Sequence, residues 1–542
     1  MRWFGRVAGL LVVVLALLAG AAQALGHGHG HGHDKTPKRV LILVLDQFRP
    51  DYVDRFDMPN VRALMRGGVN FPHARLGHMA SETVISHNVI TSGRRPGRMG
   101  WSDEAYRDSD NVLGAGKDSM WVSGSLTRDQ FNALITHGGY PKLADYLHAA
   151  HPGTKFIAAG QKNYAVYSAN GPTGDISVTF SSRNENCDGT GVNFRSPTGY
   201  NVPDYISKPT CGRFYVNSDS SLTYGTGTTS PAWMYPLDGN RFVPGNDPEH
   251  LGGDVWVADA GMAMMEHEPW SGMLLTLGAI DKTGHMWGGI TDAGAPPDDP
   301  AHLPYIARTA DQQVGRIIQR LRELRQLDDT LIVLTTDHAG QPSRRFHGVD
   351  APGRGDFNWY YGTTQNGTYD KPSPALKPLI DTGNVRFSYQ DSAIRTWLQD
   401  TSEDAKRSAA RVMATLPDVI ATYRLDGDRY RLVTADPRAM TLGELRNWLR
   451  HGQELVDTMA APYAADVVGL LKDDTSYGVA GDHGGHQQAV QEIPIVFGGA
   501  RVGPRDSGQP LRSVDILPTI LREMGIPAQP GMDGRAATLP HR

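Results

Sequence analysis

The sequence predicts an α/β fold: a mostly parallel central sheet flanked by helices on both faces, with two insertions forming a cap. Three observations carry this reading. Apolar runs of strand length recur, and each stops on a carboxylate: residues 40–45 run into Asp46, 273–280 into Asp281, and 331–336 into Asp337 and His338. A short run that is apolar throughout suits a strand buried on both faces, as parallel sheets require. The stretch 303–327 is amphipathic, with Arg and Glu on its outer face, and feeds directly into the Asp337 strand; this completes a strand–helix–strand unit of parallel type. Finally, open α/β sheets build their sites at the carboxyl ends of their strands, which is where these carboxylates and histidines fall.

In chain order, the first element is a signal peptide. Arg2 and Arg6 precede the apolar stretch 8–18, and Ala22-Gln23-Ala24 offers a small-x-small cleavage site after Ala24, so residues 1–24 are expected to be removed. The stretch is short for a membrane span. The mature chain is therefore expected in the periplasm or outside the cell, with no stable membrane insertion. Residues 25–38 form a His/Gly-rich linker, in which His27, His29, His31 and His33 alternate with glycine or lead into Asp34. Its composition suits a solvated tail or weak metal capture.

One catalytic domain then occupies 39–542. After the first strand come a helix over 58–65 with Pro59 in its first turn, a short strand over 71–74, and a helix that begins near Ser81 and stops at Gly93. A helix over 143–151 and a strand over 155–159 follow. Residues 181–246, rich in Ser, Thr, Gly and Asn, are read as an irregular insertion over the site mouth. A helix over 252–268 feeds the Asp281 strand. The second insertion, 339–477, is predicted to hold a strand at 385–389, helices at 392–398 and 442–459, and a hairpin of 420–425 with 430–434 across Asp426-Gly427-Asp428. The chain re-enters the core with 493–497, and a final helix over 514–524 stops at Gly525.

A formal net charge of -5 over 542 residues gives no reason to expect nucleic acid or an anionic membrane as partner. Cys187 and Cys211 are the two cysteines. In an exported chain they are expected to form one disulfide that ties down the first insertion.

The chemistry-bearing residues form a constellation. Asp281 and His285 stand four apart just past a strand, Asp337 and His338 are adjacent at the end of another, and Asp46 and His483 complete three aspartates and three histidines. Oxygen and nitrogen ligands without thiolate suit two divalent ions, Zn2+ first and manganese second. Any one pair alone also fits a cap or a turn; their recurrence after apolar strands points to a metal centre. A hydroxyl at the start of the helix ending at Gly93 can meet a phosphate or sulfate, or it can simply cap the helix through Ser81 or Thr83.

On these residues the chain resembles the alkaline phosphatase superfamily, in its branch of type I phosphodiesterases, nucleotide pyrophosphatases and related phosphatases. The likeness covers about 39–180, 252–338 and 477 to the end, and leaves out both insertions. Leu45-Asp46-Gln47-Phe48-Arg49-Pro50-Asp51 matches the branch's strand–Asp–Gly–x–Arg–x–Asp, with Gln47 in place of the glycine. Thr83 stands four residues before His87, with Gly93 beyond, as in the branch's nucleophile motif. Asp281 with His285, Asp337-His338-Ala339, and His483-Gly484 ahead of Ile493-Pro494 match its metal motifs. The resemblance implies an alkaline-phosphatase-like fold. It implies that Asp281, His285 and His483 hold one ion, and that Asp46, Asp337 and His338 hold the other, with the Thr83 oxygen also a ligand. His483 rather than His486 has the family's spacing to Pro494. It further implies that Thr83 is the nucleophile, that a phospho-threonine forms, and that the substrate is a small phosphate ester.

For substrate binding the resemblance points to Lys162, Ser86 and Glu104. Lys162 matches the lysine of a Lys-x-Arg pair in phosphatase relatives, with Tyr164 where they have arginine. Asp103-Glu104 falls where those relatives place an asparagine, and Ser86 where diesterase relatives carry a phosphate-contacting asparagine. The balance leans slightly to a phosphomonoesterase, with a phosphodiesterase or nucleotide pyrophosphatase as the alternative. A sulfatase would carry Cys or Ser in a C/S-x-P-x-R motif, which the stretch from Thr83 to His87 lacks. A cytosolic phosphoglycerate mutase would lack the export signal. A non-catalytic metal-binding surface protein would have no use for Thr83 beside a full ligand set.

Overall fold

The structure, a computed structural model, describes residues 36–179, 203–206, 253–287, 302–348 and 359–542. The expected signal peptide, the expected linker up to residue 35, both cysteines of the expected disulfide and nearly all of the first insertion lie outside these residues.

An eight-stranded sheet runs, edge to edge, Arg505–Asp506, Val69–Asn70, Ile495–Gly499, Thr330–Thr335, Arg39–Leu45, Trp270–Leu277, Lys155–Gly160 and Ile176–Thr179. The last five are mutually parallel. Alternate side chains of the Asp46 strand enter opposite apolar layers: Val40, Ile42 and Val44 join one, Leu41, Leu43 and Leu45 the other. This is the period-two alternation of a strand covered on both faces. The helix Thr83–Ser92 lies in the first layer, through Val84, Ile85, Val89 and Ile90. The helices Gly253–His267 and His302–Glu323 lie in the second, through Trp256, Val257, Met264, Leu303, Val314 and Ile317.

Register decides where the polar strand ends emerge. Val44 pairs with Thr276 on one side and Thr335 on the other, so three neighbouring strands finish level and release Asp46, Asp281 and Asp337 at one edge. The strand Ile495–Gly499 is antiparallel to Thr330–Thr335, with Ile495 opposite Thr335. Its start therefore lies at that same edge, and the turn before it, which carries His483, is delivered there.

The residues between Tyr360 and Leu471 build a second sheet of seven strands: Gly367–Tyr369, Tyr360–Thr364, Val385–Gln390, Ala393–Leu398, Val467–Leu471, Val419–Asp426 and Arg429–Ala435, all neighbours antiparallel. The expected hairpin is present, with Leu425 opposite Tyr430. The helix expected over 392–398 is instead the strand Ala393–Leu398. Six residues are too few to fix a period, and Ile394, Thr396 and Trp397 are strand formers, of which Ile394 and Thr396 pair on both sides and Trp397 on one. The strand expected at 71–74 is displaced: Val69–Asn70 is the paired segment, and Phe71 N donates to Ile495 O at 3.0 Å as the chain leaves the sheet. The helix expected over 442–459 forms as Leu442–Asn447 and Gln453–Asp457, joined through a π-helical turn, Trp448–Gly452.

Candidate active site

Each ligand residue sits where a strand stops. Asp46 follows the strand Arg39–Leu45, and its backbone N still donates to Leu277 O at 3.0 Å. Asp281 lies in the first turn of the helix Ala279–Trp287, and His285 one turn later falls on the same face. Asp337 and His338 end the neighbouring strand. Two groups result, Asp281 with His285 and His483, and Asp46 with Asp337 and His338, each with its ligand atoms within 4.8 Å of one another. All six side chains are buried. His285 Nε2 stands 3.0 Å from Asp281 Oδ1, and His483 Nε2 stands 3.6 Å from the same oxygen. The rings of His338 and His483 stack at 3.7 Å, which places the two groups side by side. His486 is buried but belongs to neither group.

The donor set fits two divalent cations. Asp46 Oδ1 and Asp337 Oδ2 are buried and accept no hydrogen bond, which is costly for a carboxylate unless a cation meets it. Burial holds the imidazoles of His338 and His483 well below the usual histidine range, so they present neutral nitrogens, the form that ligates metal. Burial, reinforced by Asp337, pushes the Asp46 carboxyl well up. Burial would also raise Asp281, but His285 and Lys162 outweigh it and hold that carboxyl well below the usual range.

Thr83 is the first residue of the helix Thr83–Ser92, which ends at Gly93 in the left-handed region with φ 65°. Its Oγ1 stands 3.3 Å from His338 Nε2 and accepts from Lys162 Nζ at 3.0 Å. Lys162 comes from the end of the strand Lys155–Gly160, at the same sheet edge, and its ammonium lies 2.7 Å from both Asp46 Oδ2 and Asp281 Oδ2. Burial alone would lower the pKa of this lysine, but Asp281 and Asp46 outweigh it and hold the group well above its usual range. His87, one turn along the helix, bridges Thr83 O and Thr276 Oγ1, each at 2.8 Å. It braces the helix Thr83–Ser92 against the sheet.

The structure separates the other expected contacts. The Ser86 hydroxyl bonds His78 Nε2 at 3.0 Å, and no hydrogen bond ties it to either ligand group. Asp103 and Glu104, which the sequence reading took as one place, part company. Asp103 Oδ2 meets Arg395 Nε at 2.8 Å. Glu104 accepts from Tyr360 OH at 3.0 Å and Tyr389 OH at 3.1 Å, both from the second sheet, and burial raises its pKa against those bonds.

Three residues near the site escaped the sequence reading of roles. Arg395, from the misassigned strand, reaches Glu82, the residue preceding Thr83, at 2.9 Å. Trp359 packs edge-on against His285 with ring centroids 5.2 Å apart. Gln47, noted only as a departure from a glycine, is buried at φ 60°. A bulky residue at a position that favours glycine is a signal the sequence did offer.

Residues 40–436 match the family model of type I phosphodiesterase / nucleotide pyrophosphatase. The alkaline phosphatase PhoK of a Sphingomonas species is 30% identical over 148 residues, so the matched part spans 26% of this chain and 26% of that one. The alkaline phosphatase PhoD of Zymomonas mobilis subsp. mobilis is 22% identical over 548 residues, 92% of this chain and 88% of that one. Among solved structures, wild-type alkaline phosphatase PafA superposes with a TM-score of 0.63 at 14% identity, covering 93% of this chain and 99% of that one. Murine ectonucleotide pyrophosphatase / phosphodiesterase 5 does so with 0.51 at 12% identity, covering 92% and 97%. At such identities the structural likeness is one of fold. The chain belongs to the type I phosphodiesterase / nucleotide pyrophosphatase family, and is a phosphoric ester hydrolase of alkaline-phosphatase-like fold.

Proposed function

We propose that the protein is an exported, zinc-dependent hydrolase of small phosphate esters that works through a phospho-threonine at Thr83, with a slight preference for monoesters. The observation that carries this reading is the position of Thr83 Oγ1, 3.3 Å from His338 Nε2 of one ligand group and 3.0 Å from the Lys162 ammonium that also contacts the other. Asp281, His285 and His483 would hold one ion; Asp46, Asp337 and His338 would hold the other, with Thr83 Oγ1 beside it. Bound there, two divalent cations supply the positive charge that favours the Thr83 alkoxide and the departing oxygen.

The chain's own groups do the rest. The helix start places Thr83 where backbone N–H groups face an anion. Thr83 Oγ1 forms the new bond to phosphorus as the ester oxygen leaves, and water then cleaves the phospho-threonine to return the hydroxyl and release phosphate. Lys162 meets a non-bridging oxygen, a contact that counts for more on a monoester dianion than on a diester. The tether of Glu104 to Tyr360 and Tyr389 favours the monoester too, because it directs that carboxylate toward phenols. The family's name favours the second reading, a phosphodiesterase, and Tyr164 in place of a cation agrees with it.

Cleavage after Ala24, a Cys187–Cys211 disulfide and a single catalytic domain over 39–542 complete the proposal. The test is Thr83→Ala on the zinc-supplied protein, assayed on p-nitrophenyl phosphate and bis-p-nitrophenyl phosphate. Turnover of both should fall by more than about 10³-fold while zinc content is kept. Wild-type rates in this variant, with loss in Ser86→Ala, would move the nucleophile to Ser86.

A further inference from the structure

We infer that Gln47 is a positioning residue that ties the two ligand groups into one centre. It is fully buried and touches every chain segment that brings a ligand. It follows Asp46 directly. Its backbone N donates to Asp337 Oδ1 at 3.3 Å. Its side-chain Nε2 donates to Asp281 Oδ1 at 3.1 Å and to Gly481 O, in the turn that carries His483, at 2.9 Å. Asp281 Oδ1 is also the oxygen that His285 and His483 face. The amide therefore fixes which way that carboxylate presents itself to its own group, while the backbone of the same residue fixes the carboxylate of the other.

Two features indicate that the side chain, rather than the backbone turn, is what the position retains. Gln47 adopts φ 60°, a conformation that glycine takes freely and other residues reach with strain that the surroundings must override. Space is also cleared for it. A Cβ on Gly284 would come within 2.1 Å of Gln47 Oε1, and one on Gly340 within 2.6 Å of its Cδ. Gly284 lies next to His285, and Gly340 lies two residues past His338. Two glycines in the ligand segments thus leave room for this one side chain. Partners that orient metal ligands without touching the metal set affinity as well as geometry.

The test measures Zn2+ affinity of the full chain by competition with a chromophoric chelator, together with the melting temperature of the metal-free protein. Gln47→Gly relieves the backbone strain and removes the amide; Gln47→Met keeps the strain and roughly the volume and removes only the side-chain amide. Both should bind Zn2+ roughly 10- to 100-fold more weakly than wild type, and the glycine variant should lose nothing in metal-free melting temperature. Wild-type Zn2+ affinity in Gln47→Met overturns the inference. So does a metal-free melting temperature in Gln47→Gly that falls in step with its Zn2+ affinity, because that is the mark of a merely structural residue. The inference rests on the two groups being Zn2+ sites. A wild-type chain that takes up no Zn2+ sinks that reading and the inference together, whereas a zinc-binding wild type matched by Gln47→Met sinks the role of Gln47 alone.

Discussion

Two buried clusters in this protein have the same ingredients and opposite characters. Asp46 and Asp281, with Asp337 beside them, share one fixed cation, Lys162; Glu82, Asp103 and Asp391 share another, Arg395. The guanidinium closes its cluster. Its planar fork reaches Glu82 at 2.9 Å, Asp103 at 2.8 Å and Asp391 at 2.6 Å, and it stacks 4.2 Å over the Tyr389 ring. The ammonium is a point charge. It contacts Asp46 and Asp281, and Asp337 Oδ2 is left without a donor. Three histidines held for ligation surround that open cluster, and none of its carboxylates has a guanidinium. Three buried carboxylates thus make a structural knot when one guanidinium fork contacts all three, and a cation site when a lysine contacts two and leaves the third beside buried imidazoles. The knot still serves the site, because Glu82 is the N-cap residue of the helix that begins with Thr83.

The contrast predicts different responses to removing each cation. Arg395→Met leaves three buried carboxylates without their partner, and breaking a buried pair in this way costs about 3–5 kcal/mol. The zinc-loaded variant should melt far below wild type. Lys162→Ala should do much less to the melting temperature of the zinc-loaded protein, because the divalent ions compensate the carboxylates that the lysine contacts. Equal destabilisation by both substitutions would erase the distinction between the clusters.

Lys162→Ala should act on catalysis instead. If the ammonium meets a non-bridging oxygen, kcat/KM for p-nitrophenyl phosphate should drop by roughly 10²-fold, the scale of one lost oxyanion donor. The loss on bis-p-nitrophenyl phosphate should be clearly smaller, since one of its oxygens is esterified. Equal losses on the two substrates would take the monoester preference away from Lys162 and favour the phosphodiesterase reading.

The two clusters also differ in how far the sequence discloses them. Every member of the open one stands at the end of a readable element: Asp46, Asp281 and Asp337 follow apolar runs, and Lys162 follows the strand Lys155–Gly160. A parallel sheet in register brings such ends together without further instruction. The closed one is assembled from a helix cap, a loop and a second sheet, and no local period announces that Glu82, Asp103 and Asp391 converge. Reading 392–398 as a helix hid Arg395, whose place on a strand aims it at its partners. The surroundings of Ser86 are hidden for a related reason. Its spacing from Thr83 puts it on the same helix, but only the packing of His78 against that helix determines which way the hydroxyl turns.

The smallest effect is one of pH, and it reports on the closed cluster alone. Burial, against the opposing charge of Arg395, pushes the Asp103 carboxyl up to about 7, whereas an unfolded aspartate titrates near 3.9. The folded pKa is the higher one, so the folded state holds the proton more tightly. The stability from that proton is fully present below about pH 4, declines as pH rises because the unfolded chain ionises first, and is lost by about pH 7. Within that window the slope is about 1.4 kcal/mol per pH unit. Asp103→Asn carries a permanently neutral group of the same shape. Measured by denaturant unfolding, its stability relative to wild type should therefore rise from pH 5 to pH 7 and level off above. A difference that stays flat across that range would mean that Asp103 is ionised throughout and adds its charge to those that Arg395 faces. The closed cluster would then carry a surplus of negative charge like the open one, and the distinction between them would have to rest on the geometry of the guanidinium fork.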